Sequence, residues 1–214
     1  MPRNIDRFEG AIAAAGFASG HRTVVGLWRR SPLGRFIDVM WIEPDGRRVL
    51  LAPTPTVRDY LTGVYAFDQS RIVPVWGGWD GRRIELHAGP LELYLRPPPR
   101  DWRSWVFATR PRRLRRSRTW ITIEDRLVAP LAGPLLGGGP GVRLAGVTPG
   151  GRREWFGVDD YRPLSEGTLH VEGDDAGAMV LLQPGLGVGL SDFPSRPALV
   201  HLATLIEAAQ PPRA

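Results

Sequence analysis

Short apolar segments separated by glycine and proline dominate the hydrophobic pattern of this chain. The segments RTVVGLWR at 22–29 and RFIDVMWIEP at 35–44 are rich in β-branched and aromatic residues, and a turn sequence joins them. This pattern predicts a β-hairpin. A second hairpin is predicted where the Asp-Gly pair of PDGR at 44–47 precedes RVLLAP, because Asp-Gly favours the tight turns that connect antiparallel strands.

The same pattern continues along the chain. Another Asp-Gly turn lies in WDGRRIELHAG at 79–89, and LELYLR at 91–96 alternates strictly, which places its three leucines on one face of a strand. About five further short strands are predicted after residue 141. About ten strands with short connections predict a mainly β (α+β) fold, an antiparallel β-barrel or sandwich. A barrel of eight or more strands can hold a small ligand in its interior.

Three segments predict helix instead. Ile5–Phe17 is alanine-rich and ends near glycines, which predicts a short N-terminal helix. Thr56–Gly63 has a capping threonine and a terminal glycine, which predicts two helical turns. Prolines at 97–99 and at Pro111 interrupt a helical insertion predicted at about 101–129. The closing segment PALVHLATLIEAA is compatible with either strand or helix.

Positive charge is concentrated in the predicted insertion. Nine arginines lie between Arg96 and Arg118, opposed only by Asp101, so this local excess is larger than the net charge of +6 of the whole chain. We therefore expect residues 1–214 to form a single domain with 97–140 as a basic Arg/Trp-rich insertion. The residues predicted to bind an anionic surface are Trp102, Trp105, Arg112, Arg113, Arg115, Arg116 and Arg118.

Two interpretations of this insertion remain open. Tryptophan and arginine together suit the headgroup region of an anionic membrane or another anionic partner. Alternatively, the tryptophans cover an open end of the barrel and the arginines are solvated. Nucleic acid is a third partner class, since arginine neutralises phosphates and tryptophan stacks on bases. The chain has no recognised nucleic-acid-binding motif, so a membrane surface or another anionic partner is favoured over nucleic acid.

Missing residue types exclude several kinds of chemistry. The chain has no cysteine and no lysine, which excludes thiolate nucleophiles, thiolate metal sites and Schiff-base catalysis. The four histidines are isolated in the sequence, so neither a metal site nor a cofactor is expected. No secretory hydrophobic region and no run of about 18 apolar residues is present, which predicts a cytoplasmic protein, with membrane contact at most peripheral.

Asp38 is the leading candidate for a site residue. Strand alternation in RFIDVMWI places it on one face with Phe36, Met40 and Ile42. If this face is buried, desolvation raises the pKa of the carboxyl unless an arginine pairs with it, and such perturbed acids mark candidate sites. The alternative is that Asp38 lies at a strand end or forms a structural ion pair.

A second candidate lies in GRREWFG at 151–157. Alternation puts Arg153 and Trp155 on one face and Glu154 and Phe156 on the other. An inward-facing Arg153 would anchor an anion or pair with Asp38. The predicted ligand-binding residues are Phe36, Asp38, Met40, Arg153 and Trp155, and Asp38 and Arg153 are the catalytic candidates.

The segments VVGLWRRSPLGRFIDVMWIEPDGRRVLLAP, GGRREWFG and FPSRPAL resemble uncharacterised proteins of high-GC actinobacteria. In addition, SPLGRFIDVM is similar to the S-P-x-G-x-[YF]-x-E-x-x segment of acetoacetate-decarboxylase-like β-barrels, and GRREWFG resembles their G-R-x-x-W-G segment. That resemblance implies a related barrel. It does not imply decarboxylation through a Schiff base, because Asp38 stands where the pattern has glutamate and no lysine is present.

Two functional hypotheses follow. The first is a non-catalytic barrel that binds an apolar or acidic small molecule and contacts a membrane surface or anionic partner through the Arg/Trp segment. The second is an enzyme in which Asp38 and Arg153 perform acid-base chemistry on a small carboxylated substrate without a Schiff base. A deep cavity with converging Asp38 and arginine side chains would favour the enzyme.

Overall fold

Two packed β-sheets make up most of the described chain. The computed structural model describes residues 4–100, 109, 111–127 and 142–208. The strands are β1 (Ile5–Phe17), β2 (Arg22–Arg30), β3 (Phe36–Ile42), β4 (Arg48–Ala52), β5 (Gln69–Ile72), β6 (Val75–Trp79), β7 (Ile84–Ala88), β8 (Leu91–Arg96), β9 (Ala145–Val147), β10 (Arg153–Pro163), β11 (Glu166–Val171), β12 (Asp174–Asp175), β13 (Met179–Val180) and β14 (Ala198–Glu207). The helices of this part are α1 (Pro55–Thr62), α2 (Arg112–Arg115) and α3 (Arg118–Leu127).

The larger sheet, sheet A, has the strand order β5-β4-β3-β2-β1-β14-β10-β9, with β13 also paired to β1. The smaller sheet, sheet B, has the order β12-β11-β8-β7-β6. The pairs are antiparallel apart from β4 with β5, which is parallel. The predicted hairpins β2–β3, β3–β4 and β6–β7 are confirmed.

The prediction of a barrel or sandwich resolves to a sandwich. Within the described residues the terminal strands β5 and β9 of sheet A pair with only one neighbour each, so the sheet is not closed on itself. Sheet A instead buries one face against sheet B, in a core that includes Val25, Val39, Leu51, Leu86 and Leu95. The strand count also exceeds the predicted ten, because several strands are too short to show a period in the sequence.

The predicted N-terminal helix is wrong, because Ile5–Phe17 forms the 13-residue strand β1. This strand lies at the centre of sheet A and pairs with β2 on one side and β14 on the other. Ala11, Ala13 and Ala15 face sheet B and are buried in the inter-sheet core. Small side chains at this position let the two sheets approach closely, and pairing on both sides overrides the helical preference of alanine.

The other helix predictions fare better. Helix α1 ends at Gly63 as predicted, but its cap is Thr54, whose Oγ1 accepts a hydrogen bond from the Val57 amide at 3.3 Å, and the predicted cap Thr56 lies inside the helix. The predicted helical insertion is confirmed for 112–115 and 118–127, while 101–108, 110 and 128–141 lie outside the described residues. The closing segment, which the sequence left open, is strand β14.

The second face of sheet A is covered by non-sheet segments. Helix α1 and the following residues 64–67 pack on one part of it, and residues 182–193 pack on the neighbouring part. Phe36, Asp38, Met40 and Ile42 point to this face, as the alternation predicts, while Val39 and Trp41 point to sheet B. The candidate site therefore lies between sheet A and its cover of α1 and loops.

Candidate functional site

Asp38 is a buried carboxyl group without a counter-ion among the described residues. Its side chain is 1% exposed, and its Oδ1 accepts a hydrogen bond from Trp28 Nε1 at 2.9 Å. Burial raises the pKa of Asp38 to about 7, and the indole hydrogen bond opposes this rise only in part. The expected burial is thus confirmed.

The expected pairing of Asp38 with an arginine is wrong. None of the ion pairs among the described residues includes Asp38, and the indole of Trp28 occupies one of its oxygens. The reason lies in the neighbouring strand. Trp28 shares the α1-facing side of β2 with Gly26, which is the residue directly opposite Asp38 and leaves room for the indole to reach across.

Gly26 has no room for a side chain. A Cβ atom built at this position would lie 2.3 Å from Asp38 Oδ1 and 2.5 Å from Trp28 Nε1. The glycine is therefore required by the approach of the carboxyl and the indole to the backbone. The isolated glycine inside RTVVGLWR was the sequence signal for this close approach.

A second buried acid, Glu154, lies on the same face of sheet A. It is 0% exposed, and its Oε1 accepts a short hydrogen bond from the hydroxyl of Tyr65, which follows α1. Burial raises the pKa of Glu154 to about 8. The pKa of Tyr65 is raised well above its ordinary value, first by burial of its hydroxyl and then by the charges of Glu154 and Asp38. Tyr65 thus lies within electrostatic reach of both acids.

A small cavity of about 30 Å³ lies beside Asp38. It is lined by Phe8, Ile12, Val24, Gly26, Trp28, Asp38, Met40, Leu61, Tyr65, Thr204 and Ile206. The lining is apolar apart from Asp38, the Tyr65 hydroxyl, the Trp28 indole and Thr204, whose buried Oγ1 has no hydrogen-bond partner among the described residues. The volume suffices for a water molecule or a group of a few atoms.

Polar side chains continue from this cavity toward the end of α1. The hydroxyl of Tyr60 donates a hydrogen bond to Asp6 Oδ2 at 2.8 Å, and burial is the first cause that raises the pKa of Tyr60. The guanidinium of Arg152 lies over the Tyr60 ring at 5.2 Å from its centroid. A positive charge therefore lies near α1, but Arg152 is not among the residues that line the cavity.

The remaining ligand-binding predictions separate into three places. Met40 lines the cavity, whereas Phe36 packs beside it against Trp28 with ring centroids 6.5 Å apart. Arg153 is exposed and Trp155 is buried on the opposite face of sheet A, against Ile121 of α3. The alternation in GRREWFG was correct, but the inward face toward Asp38 belongs to Glu154. Arg153 does not face Asp38, because it lies on the same side of β10 as Trp155, and Trp155 packs against α3 on the opposite face of sheet A.

The arginines predicted to bind an anionic surface have different environments. Arg115 is buried and pairs with Asp159 at 2.8 Å, and Arg116 pairs with Glu9 at 2.8 Å. Arg113 and Arg118 are exposed, and Arg118 lies over the Trp155 ring at 5.7 Å from its centroid. Trp102 and Trp105 lie outside the described residues, and Arg112 is described only as the first residue of α2. Arg115 and Arg116 thus attach the helices to sheet A.

Two searches of the described residues bear on metals and membranes. No group of three or more histidine, aspartate or glutamate side chains in this part is arranged to hold a metal ion. None of the helices described is long and apolar enough to cross a membrane.

Known proteins add no assignment to this geometry. Comparison of the chain with protein-family models, with curated proteins and with solved structures finds no match. The candidate site therefore rests on the geometry around Asp38, Tyr65 and Glu154.

Proposed function

We propose that this protein binds a small, mostly apolar and uncharged molecule in the cavity beside Asp38. The observation that carries the proposal is the cavity itself, an apolar space that presents a buried carboxyl without a counter-ion and the unpartnered hydroxyl of Thr204. Binding sites of this kind combine apolar walls with a few placed polar groups. Of the apolar and acidic ligands considered, the geometry favours the apolar one.

The charge state of Asp38 defines the ligand further. With a pKa of about 7, the carboxyl is neutral in mildly acidic solution and can donate a hydrogen bond from the oxygen that Trp28 does not occupy. A ligand oxygen that accepts this bond, such as that of a ketone or ester, fits the site. A carboxylate ligand would face Asp38 without a cation in the cavity lining. Ligands larger than the cavity require Leu61 or the covering loops to shift.

The test uses acetone as a neutral probe and acetate as a charged probe of the same shape. Chemical-shift changes of methyl groups lining the cavity, including Ile12, Leu61 and Ile206, report binding. We expect acetone to bind at pH 6, to bind more weakly at pH 9, and to bind more weakly to Thr204→Val. The Thr148→Val variant, which changes a buried threonine outside the cavity lining, is the control. Shifts with the charged probe alone would contradict the proposal.

The helical segment adds a proposed contact with an anionic surface. Exposed Arg113 and Arg118 flank Leu114, which is 39% exposed, and this combination of charge and apolar surface supports it. We expect the full chain to sediment with anionic vesicles at low salt and the Arg113→Gln, Arg118→Gln double variant to do so less. Arg82→Gln, in the distant β6–β7 turn, is the control. Equal binding to neutral vesicles would rule this contact out.

An acid-base enzyme is the second candidate function, supported by one observation. Asp38 and Glu154 have pKa values of about 7 and 8, which is the range in which carboxyl groups exchange protons efficiently near neutral pH. In this enzyme hypothesis Glu154 takes the role that the sequence analysis gave to Arg153, because Arg153 is exposed. Catalysed exchange of the α-protons of acetone in D₂O, lost in Asp38→Asn, would establish the enzyme. Binding of the ketone without exchange of its α-protons would support the non-catalytic function instead.

A further inference from the structure

A charged cluster lies between the two sheets, on the face of sheet A opposite the Asp38 cavity. His201 of β14 points toward sheet B, and its ring centroid lies 6.3 Å from that of Trp79 on the edge strand β6. Asp160 and Arg162 of β10 neighbour His201 on the same face. Arg100, which follows β8, donates from Nε to Asp160 Oδ2 at 3.1 Å. Residues from both sheets therefore converge at this point.

Two strand irregularities set this arrangement. The pairing of β10 with β14 shifts register between Val158 and Asp160, and the pairing of β1 with β2 shifts between Glu9 and Gly10. Both irregularities adjoin the row in which Ala11, His201 and Asp160 are paired neighbours. Bulges bend a strand and redirect its side chains, and they are frequent beside binding sites. Here the bulge in β10 puts Asp160 directly opposite His201.

The cluster carries an excess of positive charge. Among the described residues, the charges that act on His201 are those of Asp160, Arg162, Arg29 and Arg100, which are three guanidinium groups against one carboxylate. Burial is the first cause that lowers the pKa of His201, so the imidazole is neutral near pH 7 and offers an N–H group without adding charge. The pKa of Arg162 is also lowered, first by burial; the charge of Asp160 opposes this decrease, and the charge of Arg100 adds to it. An anion between these groups would relieve the repulsion.

Two buried side-chain atoms in this cluster have no hydrogen-bond partner among the described residues. Arg162 donates from Nη2 to the carbonyl of Pro98, and its guanidinium lies over the Trp79 ring at 5.6 Å from the centroid, yet its buried Nε has no partner among the described residues. Asp160 is 5% exposed, and its Oδ1 likewise has no partner there. A buried donor without a partner is costly, and a ligand oxygen that accepts from Arg162 Nε offsets that cost, whereas Asp160 Oδ1 needs a donor that a carboxylate does not have.

We infer that the cluster of Trp79, Arg100, Arg162 and His201 between the two sheets is a binding site for the carboxylate group of a small organic acid. The planar fork of an arginine matches a carboxylate with two parallel hydrogen bonds. Asp160 holds Arg100 in place through their ion pair. The indole of Trp79 provides an apolar wall for the organic part of the ligand. This site is separate from the Asp38 cavity, because the two lie on opposite faces of sheet A.

The experiment measures binding of benzoate, inorganic phosphate and benzyl alcohol to the full chain by isothermal titration calorimetry at pH 7. We expect benzoate to bind, and phosphate and benzyl alcohol to bind at least tenfold more weakly at this site. Arg100→Gln, whose side chain is 66% exposed and so replaceable without loss of folding, should weaken benzoate binding about tenfold or more. Arg162→Gln should do the same, and Arg153→Gln, at the exposed end of the same strand, should leave it unchanged.

Three results would overturn the assignment. These are no heat with millimolar benzoate, equal affinities for phosphate and benzoate, or unchanged benzoate affinity in a folded Arg100→Gln variant. The melting temperature of each variant establishes that it is folded. Benzoate binding that Thr204→Val abolishes and Arg100→Gln does not would place the anion in the Asp38 cavity instead.

Discussion

Asp38 and Glu154 owe their pKa values to their surroundings and not to any special feature of their side chains. Both lie on the α1-facing side of sheet A, both are almost fully buried, and each accepts a hydrogen bond from a neutral donor, Trp28 or Tyr65. Neutral donors lower a carboxyl pKa less than a guanidinium does, so desolvation dominates. The protein therefore tolerates these acids best when they are protonated.

This arrangement predicts how stability depends on pH. A carboxyl with a folded-state pKa of about 7 and an unfolded pKa near 4 imposes no penalty below pH 4, a penalty that grows between pH 4 and 7, and a constant one above. For a rise of about three pKa units the full penalty is on the order of 4 kcal/mol. Asp38→Asn should remove it, so the variant should gain unfolding free energy relative to the natural protein as the pH rises from 4 to 9.

Urea unfolding at pH 4, 6 and 9 measures this effect. Asp174→Asn, a substitution of an exposed aspartate in β12, is the control and should show no such trend. If the difference between Asp38→Asn and the natural protein is the same at all three pH values, Asp38 is not a neutral buried acid.

Strand β1 is the element for which the local sequence predicts a helix and the structure has a strand. Alternation located most of the strands correctly, including the inward leucines of β8 and the shared face of Phe36, Asp38 and Met40, because one-sided burial leaves a period of two. The alanines of β1 are buried on both faces of the sheet, so the segment has no such period, and its composition favours a helix. The choice between helix and strand there depends on β2 and β14, and β14 is almost 190 residues away in sequence.

A substitution in β1 tests its place in the core. Ala13 is 0% exposed and faces sheet B, so Ala13→Leu should overpack the inter-sheet core and lower the unfolding free energy by about 1–3 kcal/mol. Ala178→Leu, at an exposed alanine, is the matched control. The melting temperatures of both variants, measured by thermal unfolding, test this prediction. A melting temperature for Ala13→Leu that equals or exceeds that of the natural protein would contradict the central position of β1.

On the scale of the whole molecule, each face of sheet A carries its own group of buried polar side chains. One face holds Asp38 and Glu154 under α1, and the other holds Asp160, Arg162 and His201 opposite sheet B. The sequence singled out Asp38, but it could not predict Glu154 as its companion or the approach of Trp79 to His201. These contacts join strands far apart in the chain, and their register depends on bulges and on which side of β10 the helix α3 covers.

Carboxyl ¹³C chemical shifts of Asp38 and Glu154, followed from pH 4 to pH 10 in the folded protein, test the central claim most directly. That claim is that Asp38, which lines the candidate cavity, and Glu154, which accepts a hydrogen bond from the cavity residue Tyr65, remain neutral in mildly acidic solution. We expect midpoints near 7 for Asp38 and near 8 for Glu154. Midpoints near 4 for both residues would mean that they are charged at neutral pH, and the proposed binding of an uncharged ligand by Asp38 would be wrong.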